Sequence, residues 1–163
     1  MNIVLIGMPG SGKSTVGVIL AKSLGVDFID TDLLIQSREK RLLQEIIDDD
    51  GIDCFLDKEC DAVLSIDAEN AVIATGGSVI FREDAMNHLK KNGKIIYLDV
   101  PVSELKRRLS NIKTRGVAAR KGESVEDIFR ERNSLYEKYA DIYIDATFLS
   151  CEQTVDIICK KLK

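Results

Sequence analysis

A chain of 163 residues, 45% hydrophobic and 31% charged, is long enough for one domain with a real core and needs no disulfide to hold it. Its net charge of −4 excludes a global attraction to nucleic acid or to an acidic membrane surface, and no apolar run approaches the ~20 residues that span a bilayer. The four cysteines (Cys54, Cys60, Cys151, Cys159) match no zinc or redox spacing, and the one histidine, His88, leaves no second candidate for histidine acid–base chemistry.

The chain opens with an apolar run, Asn2-Ile3-Val4-Leu5-Ile6, followed at once by Gly7-Met8-Pro9-Gly10-Ser11-Gly12-Lys13-Ser14-Thr15. Val16, Ile19, Leu20 and Leu24 then recur at helical spacing. Strand, glycine loop and helix in this order is the context that a phosphate-binding P-loop requires. The glycines let the main chain turn tightly and approach a phosphate. The loop amides and the helix N-terminus favour negative charge. Lys13 then reaches the β- and γ-phosphates, and Ser14 supplies a hydroxyl ligand for Mg²⁺.

Leu24-Gly25 stops the first helix, and Asp27-Phe28-Ile29-Asp30 reads as a second strand. Asp30 and Asp32 fall at its carboxyl end, where open α/β sheets bind ligands, although one of them would also serve as a helix cap. Residues 38–65 read as helical, with Asp48-Asp49-Asp50-Gly51 as a solvated turn and Phe55, Leu56, Cys60, Val63 and Leu64 as the second stripe. Glu59 stands four residues after Phe55. Ala71-Val72-Ile73-Ala74 is a short buried strand, and Gly76-Gly77 after it permit close approach of a ligand to the backbone.

Helix 82–92 ends at Asn92-Gly93, and Ile95 to Val100 form the clearest strand, apolar nearly throughout. Residues 106–121 carry seven cations and no acid, which suggests a lid over polyphosphate, with Gly116 and Gly122 as hinges. Ser124 can cap a helix from Val125 to Tyr139 whose apolar stripe includes Arg132. A guanidinium on that stripe needs an anionic partner, from the protein or from a ligand. Ile142 to Asp145 is a last strand, and Ser150 with Gln153 caps the final helix. Five strands alternating with long crossovers imply a parallel α/β sheet with right-handed connections.

These residues resemble the shikimate kinase family. The P-loop, the Asp30-Thr31-Asp32 pair, Phe55 with Glu59, Gly76-Gly77, the basic segment with Arg115, and Arg132 through Leu135-Tyr136 stand in its order and at its distances. The likeness covers essentially the whole chain. It implies one three-layer P-loop kinase domain over 1–163, strand order 2-3-1-4-5, acceptor-binding helices within about 32–65 and a lid at about 111–124. It implies phosphoryl transfer from ATP, with Mg²⁺, to a hydroxyl of shikimate. By the same resemblance Gly10, Ser11, Gly12, Lys13, Ser14 and Thr15 hold ATP, and Asp30 supports the metal through water. Arg108 lies against adenine and Arg115 meets the phosphates. Lys13, Asp32 and Arg115 are the catalytic set. Asp32, Gly76, Gly77 and Arg132 bind the acceptor, Arg132 through a carboxylate.

The chain departs from the family pattern in three places. Leu56 replaces an arginine that would be a second carboxylate clamp, Ser78 replaces a third glycine, and Gly116-Val117-Ala118 follow Arg115 in place of Pro-Leu-Leu. A related kinase of another polyol or sugar acid, or a nucleotide-binding module without catalysis, therefore stays open beside shikimate. A cytoplasmic monomer with no membrane or nucleic-acid partner is expected, with no signal peptide in the N-terminal residues.

Overall fold

A computed structural model describes residues 1–109 and 116–163. Five strands form one sheet in the order β2-β3-β1-β4-β5, every pairing parallel. They are β1 (Asn2–Ile6), β2 (Asp27–Asp30), β3 (Ala71–Ala74), β4 (Gly93–Asp99) and β5 (Ile142–Asp145). β1 lies at the centre, with Ile3 beside Val72 on one side and Lys94 on the other.

Alternation along the strands feeds two cores. Val4 and Ile6 join Ile73, Ile95 and Tyr97 on one face. There they pack with α5 (Glu83–Asn92), α6 (Val102–Arg108) and α7 (Val125–Tyr139). Ile3 and Leu5 join Val72, Ile96 and Leu98 on the other face, covered by α1 (Lys13–Leu24) and α8 (Cys151–Leu162). Burial on both faces accounts for the apolar run of β4.

A third, smaller core lies in a wing built from α2 (Thr31–Glu39), α3 (Leu43–Asp50) and α4 (Ile52–Leu64), and Ala118 joins it. The stretch 38–65 is thus broken in two places. The run Asp48-Asp49-Asp50, expected as a turn, closes α3 instead, because Asp50 accepts a forked hydrogen bond from Arg41 and Gly51, with φ 86°, makes the turn. Both predicted capping boxes form, Ser124 with Asp127 on α7 and Ser150 with Gln153 on α8. His88 is half-buried, with Nε2 2.9 Å from the Ile66 carbonyl, and all four cysteines are free.

Candidate active site

The carboxyl ends of β1, β2 and β3 open into a cavity of about 470 Å³. Pro9, Gly10, Gly12, Lys13, Ser14 and Thr15 line one end, together with Arg108 and Cys151. Asp32, Phe55, Glu59, Gly76, Gly77, Ser78 and Arg132 line the other, and Gly116, Val117 and Ala118 border it. Of the expected site residues, Asp30 lies just behind the cavity wall. Arg115 and the rest of 110–115 lie outside the described residues.

The loop end is shaped by backbone. Gly10 and Gly12 have φ of 80° and 92°, angles that side-chain-bearing residues rarely adopt, and Gly12 is the N-cap of α1. Ser11 is buried, and its amide donates to the Met8 carbonyl at 3.1 Å. Lys13 is buried as well, its ammonium donating to the Gly7 and Met8 carbonyls at 2.8 and 2.9 Å. Burial holds its pKa below the ordinary lysine value, while Asp32 opposes that shift. Arg108 donates to the Gly10 carbonyl at 3.2 Å and to Glu104 at 2.9 Å. Glu104 also pairs with Arg107, and Lys106 with Glu126, so the first three cations of the basic run are tied to acids on α6 and α7.

Asp30 does two things at once. Its Oδ1 accepts from the Asp32 and Leu33 amides and caps α2, and its Oδ2 accepts from the Ser14 hydroxyl at 2.6 Å. A hydroxyl and a carboxylate meeting beside a phosphate loop are hard oxygen donors of the kind Mg²⁺ takes. Among the described residues, no group of three or more His, Cys, Asp or Glu is placed to hold a metal ion.

The opposite end is made of buried polar side chains. Asp32 lies on the first turn of α2, and burial, with Asp30 adding to it, pushes its carboxyl well above the ordinary range while Lys13 pulls it down. Arg132, on α7, is 1% exposed. It donates to the Ala118 carbonyl and stacks over Phe81 at 5.2 Å, yet its Nε has no partner among the described residues. No carboxylate pairs with it among the described residues. Gly77 sits between Pro9 and Arg132 with its carbonyl accepting from the Tyr136 hydroxyl at 2.5 Å, and Gly76 donates to Thr31 at 3.1 Å.

Glu59 and Ser78 also line the cavity, outside the sequence-derived set of site residues. Glu59 is 1% exposed, accepts from the Ser78 hydroxyl at 2.7 Å, and is pushed up to about 7 by burial. The signal was the one that exposed Arg132, a charged residue on an apolar stripe. Leu56, in contrast, does not line the cavity. It is packed in the wing core with Ala118 and borders a second cavity behind it.

A phosphate loop facing a buried cation and a carboxyl across one cleft, on a 2-3-1-4-5 parallel sheet, defines a P-loop kinase of a small molecule. The family model described as shikimate kinase matches residues 9–163. The shikimate kinase of Sulfurihydrogenibium sp. (strain YO3AOP1) is 36% identical over 99% of this chain and 98% of its own. Human threonine synthase-like 1 is 38% identical over 99% of this chain, which spans only 22% of that protein. The structure of Acinetobacter baumannii shikimate kinase in complex with shikimate superposes with a TM-score of 0.90 at 28% identity, covering 99% of this chain and 92% of that one. The chain belongs to the shikimate kinase family.

Proposed function

We propose that the chain transfers the γ-phosphoryl group of ATP to a hydroxyl of shikimate, giving shikimate 3-phosphate. The observation that carries this reading is Arg132: a buried guanidinium with an unpartnered Nε, facing a cleft whose other end is a phosphate loop. Its missing partner is the carboxylate of a small hydroxy acid.

Gly10 to Thr15 hold the ATP phosphates, Lys13 meets their charge, and Arg108 lies beside the base. Ser14, with Asp30 through water, would hold Mg²⁺, which would neutralise negative charge on the phosphates. Asp32 orients the acceptor hydroxyl. As its oxygen bonds to the γ-phosphorus, the bond from that phosphorus to the β-bridging oxygen breaks and the proton passes to Asp32. The raised pKa of Asp32 suits it to take that proton. Gly76 and Gly77 leave room for the acceptor, and Arg115 of the lid at 111–124 completes the phosphate site by resemblance alone. Both bracketing glycines of the lid, Gly116 and Gly122, have positive φ, 66° and 90°, which supports their use as its ends. One domain over 1–163, acting as a cytoplasmic monomer in aromatic amino acid synthesis without membrane or nucleic-acid partners, completes the reading. Among the described residues no helix is long and apolar enough to cross a membrane.

A second reading, a related kinase of another polyol or sugar acid, is favoured by Ser78 and by the leucine at position 56. A coupled assay of ADP release, run with shikimate and a panel of hydroxy acids, separates the two. Asp32→Asn should lower kcat by about 10²–10⁴-fold with ATP affinity unchanged. Loss of ATP binding in that variant would move Asp32 from the acceptor to the metal.

A further inference from the structure

The acceptor end holds a second carboxyl that the phosphoryl transfer does not use. Glu59 projects from α4 into the cleft among Asp32, Gly76, Ser78 and Arg132. Its Oε2 accepts from the Ser78 hydroxyl at 2.7 Å, and its Oε1 is buried with no hydrogen-bond partner among the described residues. A Cβ built on Gly76 would lie 2.2 Å from Glu59 Oε1 and 2.9 Å from Asp32 Oδ1. The two oxygens therefore border one gap, close enough to hold neighbouring hydroxyls of a single molecule. A buried polar atom left unpaired costs about 1–3 kcal/mol, so an orphan aimed into a cleft points to a ligand.

We infer that Ser78 is a specificity-determining positioning residue, which fixes one oxygen of Glu59 so that the other projects over Gly76, beside Asp32, to hydrogen-bond an acceptor hydroxyl. This rests on the reading of the cleft as an acceptor site. The local chemistry explains why a serine is needed. The family pattern has an arginine at position 56, one turn from Glu59, and a glycine at 78. Here Leu56 lies in the wing core, and Lys58 is tied to Glu39 at 2.6 Å. No salt bridge reaches Glu59 among the described residues; Asp32, Arg132 and Lys13 face it across the cleft. The Ser78 hydroxyl is the group that holds its rotamer.

The same surroundings select the ligand. A carboxyl poised between its two forms near neutral pH is satisfied by a group that both donates and accepts. A hydroxyl does this. An anionic substituent would be repelled, and an aliphatic one would leave Oε1 unpaired. The acceptor thus carries two adjacent hydroxyls, one for Asp32 and one for Glu59, and one carboxylate for Arg132.

The test is steady-state kinetics of wild type, Ser78→Ala, Ser78→Gly and Glu59→Gln with shikimate and with 4-deoxyshikimate, which lacks the hydroxyl next to the one phosphorylated. With shikimate, both Ser78 variants should raise KM about 3- to 10-fold, with kcat and the KM for ATP within twofold. With 4-deoxyshikimate, wild type and variants should have equal KM. Adding Ser78→Ala to Glu59→Gln should cost nothing further, because both act through one oxygen. Ser78→Gly, which has the family's residue, and Glu59→Gln keep the test valid should Ser78→Ala fail to fold. A shikimate KM unmoved by the Ser78 variants, a loss that persists with the deoxy compound, or additive losses each overturn the inference while leaving the kinase reading intact. A wild type inactive on shikimate overturns both.

Discussion

At one end the cleft is lined by a single stretch of chain, Gly10 and Gly12 to Thr15; at the other it is lined by Asp32, Glu59, Ser78 and Arg132, which come from four separate parts of the chain. The loop end is self-satisfied: Lys13 has two carbonyl partners within 3 Å, and Ser14 has Asp30. The opposite end leaves Arg132 Nε and Glu59 Oε1 unpaired among the described residues. On the function proposed above, the difference follows from what each end would bind. Polyphosphate is common to all P-loop kinases and is met by a fixed backbone shape. A particular small acid has to be distinguished from its neighbours, and unpaired buried groups supply that discrimination because a wrong ligand leaves them orphaned.

The largest expected effect lies at the loop end. Lys13→Ala should lower kcat/KM at least about 100-fold, whatever the acceptor, with the circular dichroism spectrum unchanged. Near-normal turnover would remove the phosphate loop from the chemistry. At the acceptor end the effect should be smaller and selective. Arg132→Lys keeps a charge and loses the planar fork, so the acceptor KM should rise about 10- to 150-fold, one charge-assisted hydrogen bond, with ATP affinity held. A parallel loss of ATP affinity would show that the two ends are not separable.

The smallest effect is on stability, and its sign tells the ends apart. Glu59 has a folded pKa of about 7 against an ordinary 4.5, so its contribution is full below about 4.5 and is lost as pH rises to about 7. Glu104, which anchors Arg108 beside the loop, is held down to about 2 by Arg107 and Arg108; its contribution is present above about 4.5 and lost as pH falls towards 2. The Tm of Glu59→Gln relative to wild type should therefore climb between pH 4.5 and 7 and then level off. A flat or falling difference would mean that Glu59 stays ionised, paired with a cation.

The same contrast decided what could be read from the sequence. The phosphate loop is legible because its whole chemistry lies in nine consecutive residues, Gly7 to Thr15, between a strand and a helix. The strand order came from the family resemblance, since alternating strands and helices imply a parallel sheet but not its permutation. Arg132 was legible as a guanidinium on an apolar stripe, and Asp32 as an acid at a strand end. Glu59 carried the same stripe signal, but its importance lies in a rotamer set by Ser78, 19 residues away, and no local pattern encodes that. Leu56 was expected beside the acceptor. Phe55 and Glu59, one turn apart, face the cleft, and the next position along the helix is rotated about 100° away, into the wing core.

The central place of β1 also bears on how the protein comes into being. Its partners are β3 and β4, so that Ile3 pairs with Val72 and Lys94, and Asn2 ties the Ala68 carbonyl and the Ala71 amide to the start of the strand. A nascent chain that has just emerged through α2 holds the entire phosphate loop and neither strand that flanks it. Closing loops of that length delays the central contacts, because the entropy of closure is lost before any pairing is gained. Nucleotide affinity should therefore arise late in synthesis, only after β4 has been made, although the motif itself, Gly7 to Thr15, precedes both flanking strands in the chain.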